Sequence, residues 1–268
     1  MKNLLIYVNP SKTFHEEAAI SVKVQIDNSL DLGWKKEDLV LATNFDYEYN
    51  GVKSILVSDS NYCLHNPHST KTNVILELFD RGLIGDDLYW VHDLDVYQLE
   101  VMDVDMGMAD MALTDYGRMP RVNCGSIFFK KGARDIYGWM KEIMYRFKTD
   151  EENALMALMT NNIYWTNTPS RNIRGRMEPL NMLGTEHVGE RVKKLNITYN
   201  LIAYNLTSCY AMADKPLKVA HFHILDRQDA QSKAKPSMVD FYIHGNNKLG
   251  IPLVPERLIK IFNNYGIK

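Results

Sequence analysis

Short apolar runs and helix-spaced stretches alternate along the first half of this chain. Leu4-Leu5-Ile6-Tyr7-Val8 runs uninterrupted into Asn9-Pro10-Ser11-Lys12, which predicts a strand over residues 2–8, buried on both faces and stopped by a polar turn. Ala19, Ile20, Val22, Val24 and Ile26 recur at helical spacing within residues 16–30. Residues 38–43 and 54–59 read as further strands. The helical pattern of residues 74–79, preceded by Thr70-Lys71-Thr72-Asn73, should stop near Gly82. Leu88 to Val91 is again a continuous apolar run rich in aromatic and branched residues, as in a strand covered on both sides. The order strand, helix, strand, strand, helix, strand predicts an α/β layer with a mostly parallel sheet and no internal repeat.

Beyond this point residues 110–115 read as a strand. Residues 121–130 carry a polar turn, with Asn123 and Gly125, leading into the apolar strand Ile127-Phe128-Phe129. Gly125 either exposes backbone to a ligand or marks a bulge. Ile136, Trp139, Met140, Ile143, Met144 and Phe147 form one face of an amphipathic helix over residues 135–147. Thr149-Asp150-Glu151-Glu152 opens the next helix, with Thr149 and Glu152 spaced as a capping box. Residues 161–194 are the least regular part and read as loop with some helix. Residues 217–224 form a late strand in which His221 and His223 share a face. Residues 256–262 close the chain as a surface helix.

With 268 residues, 46% apolar and 24% charged, the chain is long enough for one large domain and far from a disordered composition. The apolar run in the first ten residues is too short for a signal peptide, and no later run reaches the length of a membrane span. Cys63, Cys124 and Cys209 stand singly. That spacing argues against zinc sites and disulfide frameworks, and for a cytoplasmic, intracellular protein with no membrane partner. Neither GxGxxG nor GxxxxGK[ST] occurs, so the chain carries neither a dinucleotide fingerprint nor a P-loop. The net charge of −2 hides an uneven distribution. Residues 1–117 hold 8 Lys/Arg against 20 Asp/Glu, residues 118–200 hold 14 against 8, and residues 201–268 hold 9 against 5. A surplus of +6 in the middle segment suggests an anionic partner, although such clusters are often solvated helix faces.

The candidate chemistry centres on His92-Asp93-Leu94-Asp95, at the end of the buried run. In an extended chain Asp93 and Asp95 project to one side. Two adjacent carboxylates repel unless a cation lies between them, and Mg²⁺ or Mn²⁺ accepts carboxylate and phosphate oxygens together. An isolated Asp-x-Asp is short and common; the preceding run and the later His221/His223 pair give this one its weight. Asp103 and Asp105 lack such a run and read as a solvated loop.

The order of these pieces resembles the GT-A class of nucleotide-sugar glycosyltransferases across roughly residues 1–225. The first strand, the Lys71 helix, Asp93-Leu94-Asp95, Asn123-Cys124-Gly125 and His221-Phe222-His223 carry the resemblance. It implies a Rossmann-like, mostly parallel α/β sheet flanked by helices in a single catalytic domain. Residues 1–117 would bind the donor, 118–225 would face the acceptor, and 226–268 would form a C-terminal extension packed on the same domain. By the same resemblance Asp93, Asp95 and His221, with His223 as the alternate, would hold Mn²⁺ or Mg²⁺ on the diphosphate of a UDP-type hexose donor. Val8, Asn9, Lys12, Lys71, His92, Asn123 and Gly125 would contact the nucleotide sugar. Asp150, Glu151 and Glu152 supply the carboxylates from which an inverting enzyme would draw its general base. The chain departs from the class after the histidines, where Ile224-Leu225-Asp226-Arg227 replaces the usual Gly and Lys-Pro-Trp.

For the acceptor, a compact GT-A enzyme with a basic middle segment is similar to the enzymes that glucosylate hydroxymethylpyrimidines in DNA. On that reading Arg171, Arg174 and Arg176 would meet phosphates, and Tyr164 or Trp165 would fill the gap left by a flipped base. A polysaccharide or lipid-linked saccharide is the alternative acceptor. Outside the class stand a metal-dependent nucleotidyl- or phosphotransferase using the same aspartates, and a non-catalytic nucleotide-sugar-binding module.

Overall fold

A computed structural model describes residues 1–117, 121–165, 176–180, 182–202, 206–224 and 238–267. The chain opens as predicted: β1 (Lys2–Tyr7), α1 (Glu16–Asp31), β2 (Leu39–Thr43), the two-residue β3 (Glu48–Tyr49), β4 (Val52–Leu56), α2 (Thr70–Asp80) and β5 (Tyr89–His92). After a turn come β6 (Val96–Gln98), β7 (Met111–Asp115), β8 (Val122–Phe129), α3 (Arg134–Phe147) and α4 (Glu151–Thr160). The remainder holds β9 (Asn162–Trp165), β10 (Arg176–Pro179), α5 (Val188–Arg191), β11 (Val192–Lys194), β12 (Leu201–Ile202), α6 (Leu206–Met212), β13 (Val219–His221), α7 (Met238–Tyr242) and α8 (Glu256–Asn264).

The main sheet has eight strands in the order β11-β7-β8-β5-β1-β2-β4-β3. Its pairings β11–β7, β5–β1, β1–β2 and β2–β4 are parallel, whereas β8 runs antiparallel to both neighbours and β3 is antiparallel to β4. This is the mostly parallel α/β sheet expected. In an open sheet of this kind the ligand crevice lies at the carboxyl ends of the parallel strands. Here those ends are Tyr7 and His92, and the reversed β8 brings its beginning, Val122 to Gly125, to the same edge.

A second sheet, β12-β13-β6, stands beside the first. Its strand β6 turns its far edge to α1, and polar residues of that helix at i, i+4 and i+7 meet it. Ser21 Oγ bonds Tyr97 Oη at 3.2 Å, Gln25 Nε2 donates to Val96 O and Leu94 O, and Asn28 Nδ2 donates to Gln98 O at 2.8 Å. Residues at that spacing lie on one helix face, so the seam satisfies carbonyls that an uncovered edge would leave to water. The last helix, α8, buries Leu258 and Phe262, the latter against Tyr97 and Phe222. Arg257 reaches Asn28 Oδ1 at 2.7 Å, and Tyr265 bonds Asp27. Among the described residues no helix is long and apolar enough to cross a membrane.

Three expectations need correction. The capping box is absent: Asp150, not Thr149, is the N-cap of α4, its Oδ1 accepting from Asn153 N at 2.7 Å. Thr70 to Asn73 form the first turn of α2 rather than a lead-in, which buries Lys71. The segment 161–194 contains the antiparallel pair β9–β10 and the edge strand β11, which joins β7 in the main sheet. Strands of three or four residues are too short to show a period of two against a polar background.

Candidate active site

At the end of β5 the chain does not continue extended. Val96 N returns to Asp93 O at 3.1 Å, closing a turn over Asp93-Leu94-Asp95, so the two aspartates converge through that turn and not through the strand alternation expected from sequence. Two neighbours fix it. Asp93 N donates to Gly125 O at 2.9 Å, and Phe222 N donates to Asp95 O at 2.9 Å. The second bond, with the β13–β6 pairing of His221 opposite Val96, carries both late histidines to Asp95. His221 Nε2 lies 3.5 Å from Asp95 Oδ1, and His223 Nδ1 lies 3.1 Å from Asp95 Oδ2. His223 Nδ1 is also 3.2 Å from Glu17 Oε1, in the first turn of α1.

Ligand-type atoms of Asp93, Asp95 and His221 all lie within 4.8 Å of one another. Two carboxylates and an imidazole form a donor set suited to Mn²⁺ or Mg²⁺. His221 Nδ1 is buried with no hydrogen-bond partner among the described residues. Burial works against ionised Asp95, yet the charge and hydrogen bond of His221, with His223 behind it, hold its carboxyl well below the usual range. Burial likewise opposes charge on His221, and Asp95 outweighs it, so the imidazole titrates above its ordinary value. The site is built to be anionic at Asp95.

Close packing from β8 completes this edge. Between β7 and β8 the register slips from Leu113 opposite Ile127 to Thr114 opposite Asn123, leaving Cys124, Gly125 and Ser126 bulged on the β8 side. A Cβ at Gly125 would stand 2.6 Å from His221 Cε1 and 2.8 Å from Asn123 Oδ1. Gly125 thus lies in a bulge, and only glycine lets the backbone come so near the imidazole. Asn123 Oδ1 is taken up internally, accepting from Gly125 N and from Asn200 Nδ2.

Behind Asp93 lies a buried charge cluster. Lys71 Nζ contacts Asp93 Oδ1 at 2.6 Å, Cys124 O at 2.6 Å and Glu151 Oε1 at 3.0 Å. Burial disfavours the ammonium, but the carboxylates of Asp93 and Glu151 more than offset it, and its pKa stands well above the usual lysine range. Glu151 bears the penalty. Burial pushes its carboxyl up to about 7 against the pull of Lys71, and its Oε2 has no hydrogen-bond partner among the described residues. Its neighbours in α4 share another cation: Arg121 Nη2 lies 3.3 Å from Asp150 Oδ2 and 2.9 Å from Glu152 Oε2. Tyr116 Oη donates to Glu152 Oε1 at 2.7 Å.

Two adjoining clefts share Asp93, His68 and His221. The larger, about 580 Å³, runs over Tyr7, Val8 and Asn9 to Asp95 and His223. The smaller, about 230 Å³, is lined by Asn123, Gly125, Asp150, Glu151 and Glu152. Nearly every candidate from the sequence therefore reaches one cleft or the other. Lys12 is not part of either lining and pairs with Asp59 at 2.8 Å. His92 lines the larger cleft with its Nδ1 2.9 Å from Asp93 O and its Nε2 2.9 Å from Asn3 Oδ1, and a neutral ring donates to one of these two oxygens. Burial lowers it to about 4, so it is a neutral brace under the turn. Sequence reading missed Glu17, Tyr7, His15, Arg121 and Asn200. Glu17 was legible only as an ordinary acid in a first helical turn, and the others showed no spacing signal.

No family model and no curated protein matches the sequence. Solved structures do match in shape. The galactosyltransferase LgtC, in complex with donor and acceptor sugar analogs, superposes over 98% of this chain and 96% of its own, with a TM-score of 0.54 and 13% identity. The glycosyltransferase GlyE of Streptococcus pneumoniae TIGR4 covers 100% of this chain and 65% of its own, at a TM-score of 0.51 and 7% identity. The chain has the fold of GT-A glycosyltransferases. At such identities the likeness is one of fold; function rests on the site.

Proposed function

We propose that the protein is a metal-dependent glycosyltransferase that moves a hexose from a nucleoside-diphosphate sugar to an acceptor hydroxyl. The observation that carries this reading is the convergence of Asp93, Asp95 and His221 at the junction of two clefts. The nucleotide lies in the larger cleft, beside Tyr7, Val8 and Asn9, and the sugar in the smaller. Asp93, Asp95 and His221 would hold a divalent cation, which when bound would supply charge stabilisation to the diphosphate. Lys71 holds Asp93 in place, Asn123 and Gly125 shape the wall behind His221, and Glu17 fixes His223. Asp150, Glu151 and Glu152 face the sugar cleft, and there a carboxylate takes the acceptor proton if the transfer inverts.

A saccharide hydroxyl suits the acceptor side better than a base in DNA. Among the described residues, five of the cations of residues 118–200 are matched by acids of residues 1–117. Arg134 pairs with Asp80, Lys131 with Asp86, Lys193 with Asp105, Arg191 with Asp110 and Lys194 with Asp115. Cations compensated in this way are not free for a phosphate backbone. Arg171 and Arg174, and the side chains of Arg176, Tyr164 and Trp165, lie outside the described residues.

The test is turnover of a panel of nucleotide sugars with Mn²⁺ and with chelator, against saccharide acceptors and hydroxymethylated DNA. Metal-dependent release of the nucleoside diphosphate supports the reading. Release of sugar 1-phosphate would replace it with a phosphotransferase, and transfer to DNA would reverse the choice of acceptor. Within the site, His221→Ala should weaken Mn²⁺ binding by more than about 100-fold and His223→Ala by about 10-fold, the scale of a change behind the ligands. Calorimetric Mn²⁺ titration of both variants measures this; equal losses would make the two histidines equivalent and refute the assignment.

A further inference from the structure

In the smaller cleft carboxylates outnumber the lysine and arginine groups that pair with them. Asp93, Asp150, Glu151 and Glu152 all line it. Each nearby cation is already divided between two of them: Lys71 between Asp93 and Glu151, Arg121 between Asp150 and Glu152. Lys71 is 7% exposed and spends its remaining capacity on Cys124 O. Glu151 is 5% exposed, and its Oε2 is a buried acceptor with no donor among the described residues. Asn123 and Gly125 add no cation, and His221 leans on Asp95. An occupant of this space must bring hydrogen-bond donors and no negative charge of its own.

Resting on the function proposed above, we infer that the transferred sugar is uncharged, a hexose presenting hydroxyl donors, and that this cleft rejects uronic acids and other acidic sugars. Glycosyl hydroxyls donate to carboxylates at little electrostatic cost. A sugar carboxylate placed in the same space faces Asp150 and Glu152, whose shared cation, Arg121, is already divided between them, and one unpaired like-charge contact changes binding by about tenfold or more. Arg121 is the group that would have to leave Glu152 to accommodate it. Discrimination of this kind comes from repulsion rather than from added contacts.

Calorimetric binding of UDP, UDP-glucose, UDP-galactose and UDP-glucuronic acid in saturating Mn²⁺ tests the inference on the intact chain. At least one neutral UDP-hexose should bind more tightly than UDP, and UDP-glucuronic acid about 10- to 100-fold more weakly than that hexose. Glu152→Gln, which removes one carboxylate and frees Arg121 toward the cleft, should narrow the gap by about tenfold. UDP-glucuronic acid binding as tightly as the neutral donors would overturn the inference and leave the transferase reading standing. Failure of UDP itself to bind in Mn²⁺ would sink both.

Discussion

Asp95→Ala is expected to lower kcat/KM for sugar transfer by about 10³-fold or more, the equivalent of about 4 kcal/mol of lost transition-state stabilisation. The reason is geometric. Asp95 pairs with both histidines, and its oxygens stand with Asp93 and His221 in the same small cluster. Its removal takes away a carboxylate held ionised by burial-resistant pairing and leaves His221 without its counter-charge. The backbone bond from Phe222 N to Asp95 O does not depend on the side chain, so the turn should persist. Activity, Mn²⁺ affinity and thermal unfolding measured together check the expectation. Turnover within tenfold of the wild type, or full activity in excess chelator, would remove the metal site from the mechanism.

Much of the architecture was legible because its core strands are buried on both faces. Runs such as Leu4 to Val8 and Tyr89 to Val91 need no partner information to be read, since only a sheet covered by helices tolerates them. Short elements escaped for the opposite reason. β6, β11 and β12 have two or three residues each, too few for a period, and are strands only because a neighbour pairs with them. The seam of Ser21, Gln25 and Asn28 on α1 was equally silent: polar residues on a helix read as solvent-facing until the edge of β6 is placed against them.

The site was legible as residue types and not as geometry. Asp93, Asp95 and His221 stand out by chemistry, but their meeting depends on a turn and on the antiparallel return of β13, a contact across more than a hundred residues. The charge split changes meaning in the fold because sequence counts charge along the chain whereas pairing happens in space. Asp110 and Asp135, for example, both end on Arg191. The resemblance sets Lys71 against the nucleotide sugar, and nothing in its local sequence announces that it is buried between two acids.

That burial sets the second large effect. Lys71→Met should destabilise the fold by about 3–5 kcal/mol, because it leaves Asp93 and buried Glu151 without their shared cation. At roughly 2–4 °C per kcal/mol for a chain near this length, the midpoint of thermal unfolding should fall by about 10 °C. The loss must depend on pH. Glu151 has its carboxyl raised by burial from 4.5 to about 7. A raised folded-state value means that the favourable, protonated contribution is full below about 4.5 and is lost as pH rises through about 7. Without Lys71, which pulls that value down, the carboxyl titrates higher still. The variant should therefore be closest to wild type at pH 5 and furthest from it at pH 8, and adding Glu151→Gln should recover part of the pH 8 loss by removing the charge that has no partner. Urea unfolding of the wild type and both variants at the two pH values decides it: a destabilisation that is equal at pH 5 and pH 8 and untouched by Glu151→Gln would mean that Lys71 stabilises by packing its methylenes and not by holding the carboxylates.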